Sequence, residues 1–138
     1  SEMAARHDAD ALGADPARLH VVPNAVDTDR FDPARTVPDA RAWLQIPRSA
    51  FVVGIVARMQ THRRFEDFWR AIRALVDRGA DPHVVVVGRG TNQERVAMAP
   101  VRELGLEGRV HFTGFVDGEN YVGVLRAFDV KVYLVPGS

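Results

Sequence analysis

Two short runs of apolar residues constrain the fold of this chain most strongly. Residues 51–56 read Phe-Val-Val-Gly-Ile-Val, and residues 83–87 read His-Val-Val-Val-Val. Neither run alternates between apolar and polar side chains, which is typical of a strand that is buried on both faces of a parallel sheet. Parallel strands need long crossover connections, so we expect strands and helices to alternate along the chain.

The segment between these runs has the spacing of one buried helical face. Its apolar residues recur at intervals of three and four: Phe65, Phe68, Trp69, Ile72, Leu75 and Val76. Gly79 then ends the helix. The remaining patterns predict helices over 2–12, 39–44, 92–104 (interrupted by Pro100) and 119–128, and strands over 19–22, 110–113 and 130–135, the last of them buried. This order predicts an α/β fold, a Rossmann-like three-layer sandwich around a parallel sheet.

Composition limits the partners and the compartment. The 138 residues are enough for one domain, and 18 basic residues cancel 18 acidic ones, so the chain has no overall field that attracts nucleic acid or an anionic membrane. No run of apolar residues approaches the roughly 20 that span a bilayer, so no transmembrane segment is predicted. Cysteine is absent, which excludes disulfides and thiolate zinc sites and fits a cytoplasmic location.

The histidines do not predict a metal site. All five are scattered without ligand spacing and without a matching cluster of carboxylates: His7, His20, His62, His83 and His111. We therefore expect no bound metal.

The loop after residue 56 is the strongest candidate for a binding site. Ligands of open parallel sheets bind beyond the carboxyl ends of the strands. This loop carries Arg58, Arg63 and Arg64 just before the helix that begins at Phe65. Guanidinium groups match phosphate oxygens, and a helix N-terminus adds N–H donors, so a diphosphate would be stabilised there. The alternative is a solvated arginine loop without a ligand.

A second candidate is the turn Gly88, Arg89, Gly90, which follows the second apolar run. Glycines at this place let a ligand approach the backbone, as in the first half of the dinucleotide fingerprint. Gln93 stands where that fingerprint has its third glycine, which disfavours NAD or FAD. The alternative is an ordinary turn between a strand and a helix.

The order of several short motifs resembles the C-terminal domain of retaining GT-B glycosyltransferases of family 4, the glycosyl transferases of group 1. Residues 21–27, Val-Val-Pro-Asn-Ala-Val-Asp, resemble the family's Pro-Asn-Gly-Val-Asp segment. Residues 54–59, Gly-Ile-Val-Ala-Arg-Met, with Arg63 are similar to its Gly-Arg-Leu-x-x-x-Lys-Gly turn. Arg63 stands where lysine is usual, and Arg64 replaces a glycine.

Three further motifs continue the resemblance in the same order. Residues 85–90 are similar to the family's Val-Gly-x-Gly turn, and residues 110–116 to its Val-x-Phe-x-Gly-x-Val strand. Residues 127–138 resemble the Ala-Asp-Val…Pro-Ser segment that precedes the donor-binding Glu-x7-Glu motif. The resemblance therefore implies an incomplete C-terminal half of a GT-B enzyme, with residues 1–18 as an interdomain linker and residues 19–138 as a partial nucleotide-sugar-binding domain.

The resemblance also implies roles for residues. Arg58 and Arg63 would bind the donor diphosphate and stabilise the leaving group, which makes them the expected catalytic residues. The turn 88–90 (Gly88, Arg89, Gly90) would admit the nucleotide, and the main chain at Phe115 and Val116 would contact the edge of its base. Such enzymes need neither a metal nor a cofactor, because fixed cations take over the electrostatic role.

The resemblance implies a parent enzyme of the hexosyltransferase type that moves a sugar from a nucleotide-diphospho-sugar to an unknown acceptor. The acceptor would be bound by a missing N-terminal domain, and the isolated chain would be inactive. Two alternatives stay open: another GT-B enzyme, such as a nucleotide-sugar epimerase or a phosphorylase, and a non-catalytic α/β interaction or regulatory module. The parent would be cytoplasmic, with peripheral attachment to a membrane as an alternative.

Overall fold

The computed structural model describes residues 2–134. They fall into two compact units, one reaching to Arg35 and one starting at Thr36. The first unit holds helix α1 (Glu2–Leu12), which confirms the helix expected there. The strand expected over 19–22 is wrong: this stretch is irregular, and Val22 is 82% exposed. A run of apolar residues forms a strand only where a neighbouring strand pairs with its backbone N–H and C=O groups. Pro23, which follows, has no N–H to donate to such a pairing. The linker assigned to residues 1–18 stays a prediction.

The second unit is built on four parallel strands. These are β1 (Phe51–Val56), β2 (Pro82–Val87), β3 (Val110–Gly114) and β4 (Val130–Val132). Their order across the sheet is β3-β2-β1-β4, so the chain builds outward from β1 and then crosses back to its other side. The predicted Rossmann-like parallel sheet is confirmed, and the carboxyl ends of its strands lie along one edge.

Helices cover both faces of this sheet. Helix α3 (Phe65–Asp77) and helix α4 (Ala99–Glu103) pack on one face, and helices α2 (Ala40–Trp43) and α5 (Gly118–Ala127) pack on the other. The predicted three layers are therefore confirmed.

The strand residues supply both hydrophobic cores. Val53 and Ile55 of β1 face α3, whereas Val52 of β1 and Val85 of β2 face the opposite core. Successive side chains of a strand point to opposite faces, so only an unbroken apolar run can fill two cores at once. Burial of each such side chain contributes about 1.5–3 kcal/mol.

Helix α3 follows its predicted face except at its end. Phe65, Phe68, Trp69 and Ile72 are buried, while Leu75 is 38% exposed. The rings of Phe68 and Trp69 meet edge to face with centroids 4.9 Å apart. This aromatic contact fixes the N-terminal half of α3, which is the half that follows the arginine loop.

The helix after β2 continues through Pro100, so the predicted break at that residue is wrong. A π-helical turn, Glu94–Met98, leads directly into Ala99–Glu103. Proline has no N–H to donate to the carbonyl four residues earlier. That carbonyl, of Val96, instead accepts a hydrogen bond of 2.8 Å from the indole Nε1 of Trp69. This hydrogen bond joins α3 to the helix after β2, and both helices lie in the same layer.

Strand β4 differs from the buried strand predicted over 130–135. It is three residues long and, in the described part of the chain, pairs only with β1. Val130 is 42% exposed because β4 lies at the edge of the sheet. Residue 135 lies outside the described residues.

An arginine that the sequence did not single out ties the second unit together. The guanidinium group of Arg41 donates to the carbonyl of Ala127 (2.9 Å), the carbonyl of Ala50 (3.0 Å) and Oδ2 of Asp129 (2.8 Å). The same carboxylate accepts the N–H of Val52 at 2.7 Å. The Val52 N–H, and then Arg41, lower the pKa of Asp129. These bonds link α2, β1, the end of α5 and the residue before β4.

Among residues 2–134, no helix is long and apolar enough to cross a membrane.

Candidate functional site

The loops that follow β1, β2 and β3 lie side by side at the carboxyl edge of the sheet. The N–H of Met59 donates to the carbonyl of Arg89 (3.3 Å), and the N–H of Gly88 donates to the carbonyl of Gly114 (2.8 Å). Residues that are far apart in sequence are therefore neighbours here. The structure brings the loop of Arg58 next to the Gly-Arg-Gly turn, as expected for a site at this edge.

The glycines of that turn let two loops approach each other. A Cβ atom at Gly88 would collide with the carbonyl oxygen of Ala57, and one at Gly90 would collide with that of Met59. Gly88 also has a φ of +126°, which favours glycine. The sequence indicated that something approaches the backbone of this turn closely. In the structure, the loop after β1 makes that approach. Admission of a nucleotide by these residues stays a prediction.

Arg58 and Arg63 both retain hydrogen-bonding capacity. Arg58, two residues after β1, is exposed, and its side chain makes no hydrogen bond or ion pair with residues 2–134. Arg63 ends a single 3-10 turn, Thr61–Arg63, and is half-buried. Its Nε is buried and has no hydrogen-bond partner in the described part of the chain. Leaving a buried donor unsatisfied costs about 1–3 kcal/mol, so an acceptor at this place would be stabilised.

Arg64 pairs with a carboxylate in the first turn of α3. Its Nε donates to Oδ2 of Asp67 at 2.7 Å, and Arg70 pairs with the same carboxylate. The hydrogen bond from Arg64, together with the charges of Arg64 and Arg70, lowers the pKa of Asp67. One N–H of Arg64 is thus engaged with the first turn of α3, and binding of a phosphate by the guanidinium groups of this loop stays a prediction.

The backbone conformation of Arg64 explains why the family's Gly-Arg-Leu-x-x-x-Lys-Gly turn has a glycine at this position. Its φ is +50° and its ψ +36°, the left-handed region. Residues other than glycine pay roughly 1–2 kcal/mol there. A glycine at this position relieves that strain, so the family's pattern has a conformational reason.

A cleft of about 290 Å³ lies next to these loops. Its lining comes from all three loops and from the helix that follows β2: Met59, Gly88, Arg89, Gln93, Met98, Phe112, Thr113 and Gly114. The guanidinium of Arg89 packs against Gly114, where an added Cβ would lie 2.9 Å from Nε. Polar and apolar groups contribute about equally to its lining.

The two residues predicted near the base differ in their surroundings. Phe115 is 75% exposed, immediately after β3. Val116 is half-buried and packs against the core beneath α5. The side chain of Phe115 is thus open to solvent, and contact of a base with the main chain at either residue stays a prediction.

Two other clefts lie away from Arg58 and Arg63. A groove of about 530 Å³ runs between α3 and the helix after β2, with Phe65, Trp69 and Pro100 among its lining residues. A third, of about 350 Å³, lies at the amino edge of the sheet and includes Asp81 and His83. Neither Arg58 nor Arg63 lines any of the three clefts.

The description of the histidines as scattered is wrong for one pair. Nδ1 of His83 and Nε2 of His111 lie 3.0 Å apart, because β2 and β3 pair in a register that sets Val85 opposite His111. The ring centres are 5.3 Å apart, about as far as that contact permits, so the rings meet edge to edge. Burial lowers the pKa of both, and the neighbouring imidazole lowers that of His111 further. Among residues 2–134, no three histidine, aspartate or glutamate side chains come together as a metal site.

Comparison with known proteins agrees with the geometry. The family model described as "Glycosyl transferases group 1" matches residues 50–136, which contain the whole sheet and all three loops. The chain belongs to the group 1 glycosyltransferases. Its expected fold class, the Rossmann-like half of a GT-B glycosyltransferase, is confirmed.

Individual relatives support this assignment. The 2-deoxystreptamine glucosyltransferase of Streptomyces kanamyceticus is 34% identical over 121 residues, which cover 86% of this chain and 31% of that protein. A glycosyltransferase from Rickettsia africae has the same fold, with a TM-score of 0.76, 18% identity, and coverage of 96% of this chain and 36% of that one. The Anabaena protein HepE in complex with UDP gives a TM-score of 0.72 and 22% identity over 99% of this chain and 37% of its own. The chain thus spans about a third of the length of each of these three proteins.

Proposed function

We propose that this chain binds the nucleotide-sugar donor of a glycosyltransferase and holds its diphosphate with Arg58 and Arg63. One observation carries the proposal: Arg63 has a buried guanidinium N–H without an acceptor among the described residues. A diphosphate oxygen would supply that acceptor where the loop shifts to uncover this N–H, and the terminal nitrogens of the same guanidinium group are further donors. Arg58 stands in the same loop without a counter-ion in residues 2–134, so a second positive charge is available to the same anion.

These two charges suit the chemistry of sugar transfer. As the glycosidic bond of the donor breaks, negative charge develops on the departing nucleoside diphosphate. Guanidinium groups held at that place stabilise this charge more than the charge of the intact donor, which lowers the barrier. In this proposal the arginines take the electrostatic role that a divalent metal has in other transferases, and the reaction needs no metal.

The relatives favour this assignment over a module without a ligand. HepE has been solved with UDP, which is the leaving group of a UDP-sugar, and the Streptomyces relative is named a glucosyltransferase. We propose that the parent protein is likewise a hexosyltransferase and that its acceptor is bound outside these residues. Since the chain covers about a third of its relatives, we propose that alone it binds a donor and does not transfer the sugar.

Calorimetric titration of the chain with UDP, GDP, ADP and pyrophosphate tests the proposal. Arg58→Ala and Arg63→Ala should each weaken pyrophosphate binding at least tenfold, about 1.4 kcal/mol. Arg78→Ala is the matched control, because Arg78 is exposed at the far end of the 13-residue helix α3, about 20 Å from the loop. Equal losses in all three variants would indicate unspecific charge, and the absence of binding would favour the interaction module.

A further inference from the structure

We infer that His83 and His111 form a two-histidine site, at the amino edge of the sheet, for a divalent transition metal that takes square-planar or octahedral ligation, Cu²⁺ or Ni²⁺. This inference is independent of the proposed function, because the arginine loop lies at the opposite edge. His83 precedes Gly88 by five residues of extended strand, a span of about 16 Å.

The register of the two strands brings the imidazoles together. Strands β2 and β3 are parallel, with Val85 opposite His111. His83 stands two residues before Val85, so the side chains of both histidines project from the same face of the sheet. Nδ1 of His83 and Nε2 of His111 lie 3.0 Å apart. Paired backbones therefore hold two side chains that bind metals well, and a metal would find both ligands side by side.

The distance between the two nitrogens selects the kind of metal. Bonds from a first-row metal to imidazole are about 2.0–2.1 Å long. Nitrogens 3.0 Å apart subtend an angle of about 95° at a metal held by such bonds, the angle between neighbouring ligands of a square-planar or octahedral site. A tetrahedral site would need the nitrogens about 3.3–3.4 Å apart. Imidazole ligands in a tetragonal arrangement suit Cu²⁺ and Ni²⁺, whereas Mg²⁺ and Ca²⁺ prefer oxygen ligands.

Binding requires a change in the hydrogen bond between the two rings. The facing nitrogens now point at each other, so one of them donates and the other accepts. To hold a metal, each ring turns until its lone pair faces a common point beside the line between the nitrogens. Each ring then carries its proton on the outer nitrogen, Nε2 of His83 and Nδ1 of His111, so both stay neutral and no proton is lost. The χ2 torsion of histidine is broad, and both rings are only half-buried, so they can turn.

The cleft at the amino edge gives the metal access to water. This cleft of about 350 Å³ is lined by His83 together with Asp81, Gly105, Gly108 and Arg109. Water from it can occupy the coordination positions that the two histidines leave open. Arg109 also lines the cleft, but it pairs with Asp81, so its positive charge is compensated and does not repel a cation.

Titration of the ¹⁵N-labelled chain with Cu²⁺ at pH 7.5, where unperturbed imidazoles are neutral, tests this inference. Substoichiometric Cu²⁺ should broaden the amide signals of residues 82–84 and 110–112 first, and Ni²⁺ should act on the same residues. The electron paramagnetic resonance spectrum of the 1:1 copper complex should show two nitrogen ligands. Mg²⁺ at the same concentration should shift none of these amides.

Single variants separate the pair from the other histidines. His83→Gln and His111→Gln should each weaken Cu²⁺ binding at least tenfold, because each leaves one imidazole. His62→Gln is the matched control and should leave the affinity unchanged, since His62 is exposed in the loop after β1. All three variants should bind pyrophosphate as the unmodified chain does when metal is absent.

Several results would overturn the inference. Broadening centred on His7, His20 or His62, equal Cu²⁺ affinity in His111→Gln, or Mg²⁺ shifts at the same amides would each do so. If the variants do not fold, the spectrum of the unmodified chain decides: two nitrogen ligands support the site, and one nitrogen or none contradicts it. The presence or absence of pyrophosphate binding bears only on the proposed function.

Discussion

Arg63 and Arg64 are neighbours in sequence, yet their side chains have different surroundings. Arg64 pairs with Asp67, whereas the Nε of Arg63 lacks an acceptor in residues 2–134. The sequence showed three cationic residues in one loop but not which of them would pair within the chain. That distinction depends on the first turn of α3, where Asp67 stands three residues after Arg64.

Arg64 itself gives a test of backbone strain. Arg64→Gly relieves the left-handed conformation and loses an exposed ion pair, while Arg64→Ala loses the pair and keeps the strain. Exposed pairs contribute about 0–1 kcal/mol. We expect the glycine variant to be more stable than the alanine variant by about 1 kcal/mol in urea unfolding. An alanine variant of equal or greater stability would contradict the strained backbone.

The glycines of the second loop give a test of close packing. Gly90→Ala should destabilise the chain by about 2 kcal/mol or more, because its methyl group would meet the carbonyl of Met59. Gly108→Ala is the control, since nothing lies within 4 Å of its added Cβ and its φ is not positive. The test compares the thermal unfolding midpoints of the two variants. A Gly90 variant as stable as the Gly108 variant would show that the two loops do not pack this closely.

At the scale of elements, periodicity predicted most of the sheet and its helices. The runs at 51–56 and 83–87 became β1 and β2 because both faces of each strand are buried, and that requirement is visible in sequence. The sequence missed the π turn before Pro100 and wrongly predicted a strand over 19–22, both for one reason. Each outcome depends on whether a partner distant in sequence is present. Trp69 supplies a hydrogen bond to the π turn, whereas residues 19–22 have no neighbouring strand in the described part of the chain.

The His83 and His111 pair links strand register to pH. The pKa of each imidazole is lowered in the folded chain, so the unfolded chain binds protons more readily near pH 6.5. The free energy of unfolding should therefore be independent of the titration of this histidine pair above pH 6.5 and should fall as the pH drops through and below that value. Asp81 and Arg109, which line the nearby cleft, pair with each other.

Urea unfolding between pH 8 and pH 5 measures this effect. The double variant His83→Asn, His111→Gln keeps amide groups near the ring nitrogens and removes both titrations. Its stability should change less with pH across this range than that of the unmodified chain. Parallel curves for the two proteins would show that the histidine pair does not contribute to the pH dependence.

For the molecule as a whole, Arg41 holds segments that are more than 80 residues apart in sequence. Arg41→Met should destabilise the chain by about 2–3 kcal/mol, because three carbonyl groups and the Asp129 carboxylate lose their donor. Arg48→Met is the matched control: Arg48 makes an exposed pair with Asp39, and its loss should cost less than about 1 kcal/mol. Equal costs in chemical unfolding would contradict the role of Arg41.

Acidification should also weaken this network. The pKa of Asp129 is lowered in the folded chain. Its ionised carboxylate therefore contributes to the free energy of unfolding above pH 3.8, and this contribution is lost as the pH falls through the lowered pKa. Asp129→Asn should flatten the acid limb of the stability curve. A limb of unchanged steepness would show that Asp129 does not govern it.

The architecture of the whole molecule also limits what sequence can predict about the site. The order β3-β2-β1-β4 follows from alternating strands and helices, and the motif resemblance led to the correct family. The cleft beside Arg89 was not predicted, because its walls come from three loops and a π turn that only the folded sheet brings together.

The central claim is that a diphosphate binds at the carboxyl edge of the sheet between Arg58 and Arg63. Mapping amide shifts while pyrophosphate is added to the ¹⁵N-labelled chain tests it most directly. The account predicts that the largest shifts fall in residues 57–65, with smaller ones in residues 88–90. Shifts centred on the amino edge near His83 and Arg109, or none at all at millimolar pyrophosphate, would contradict it.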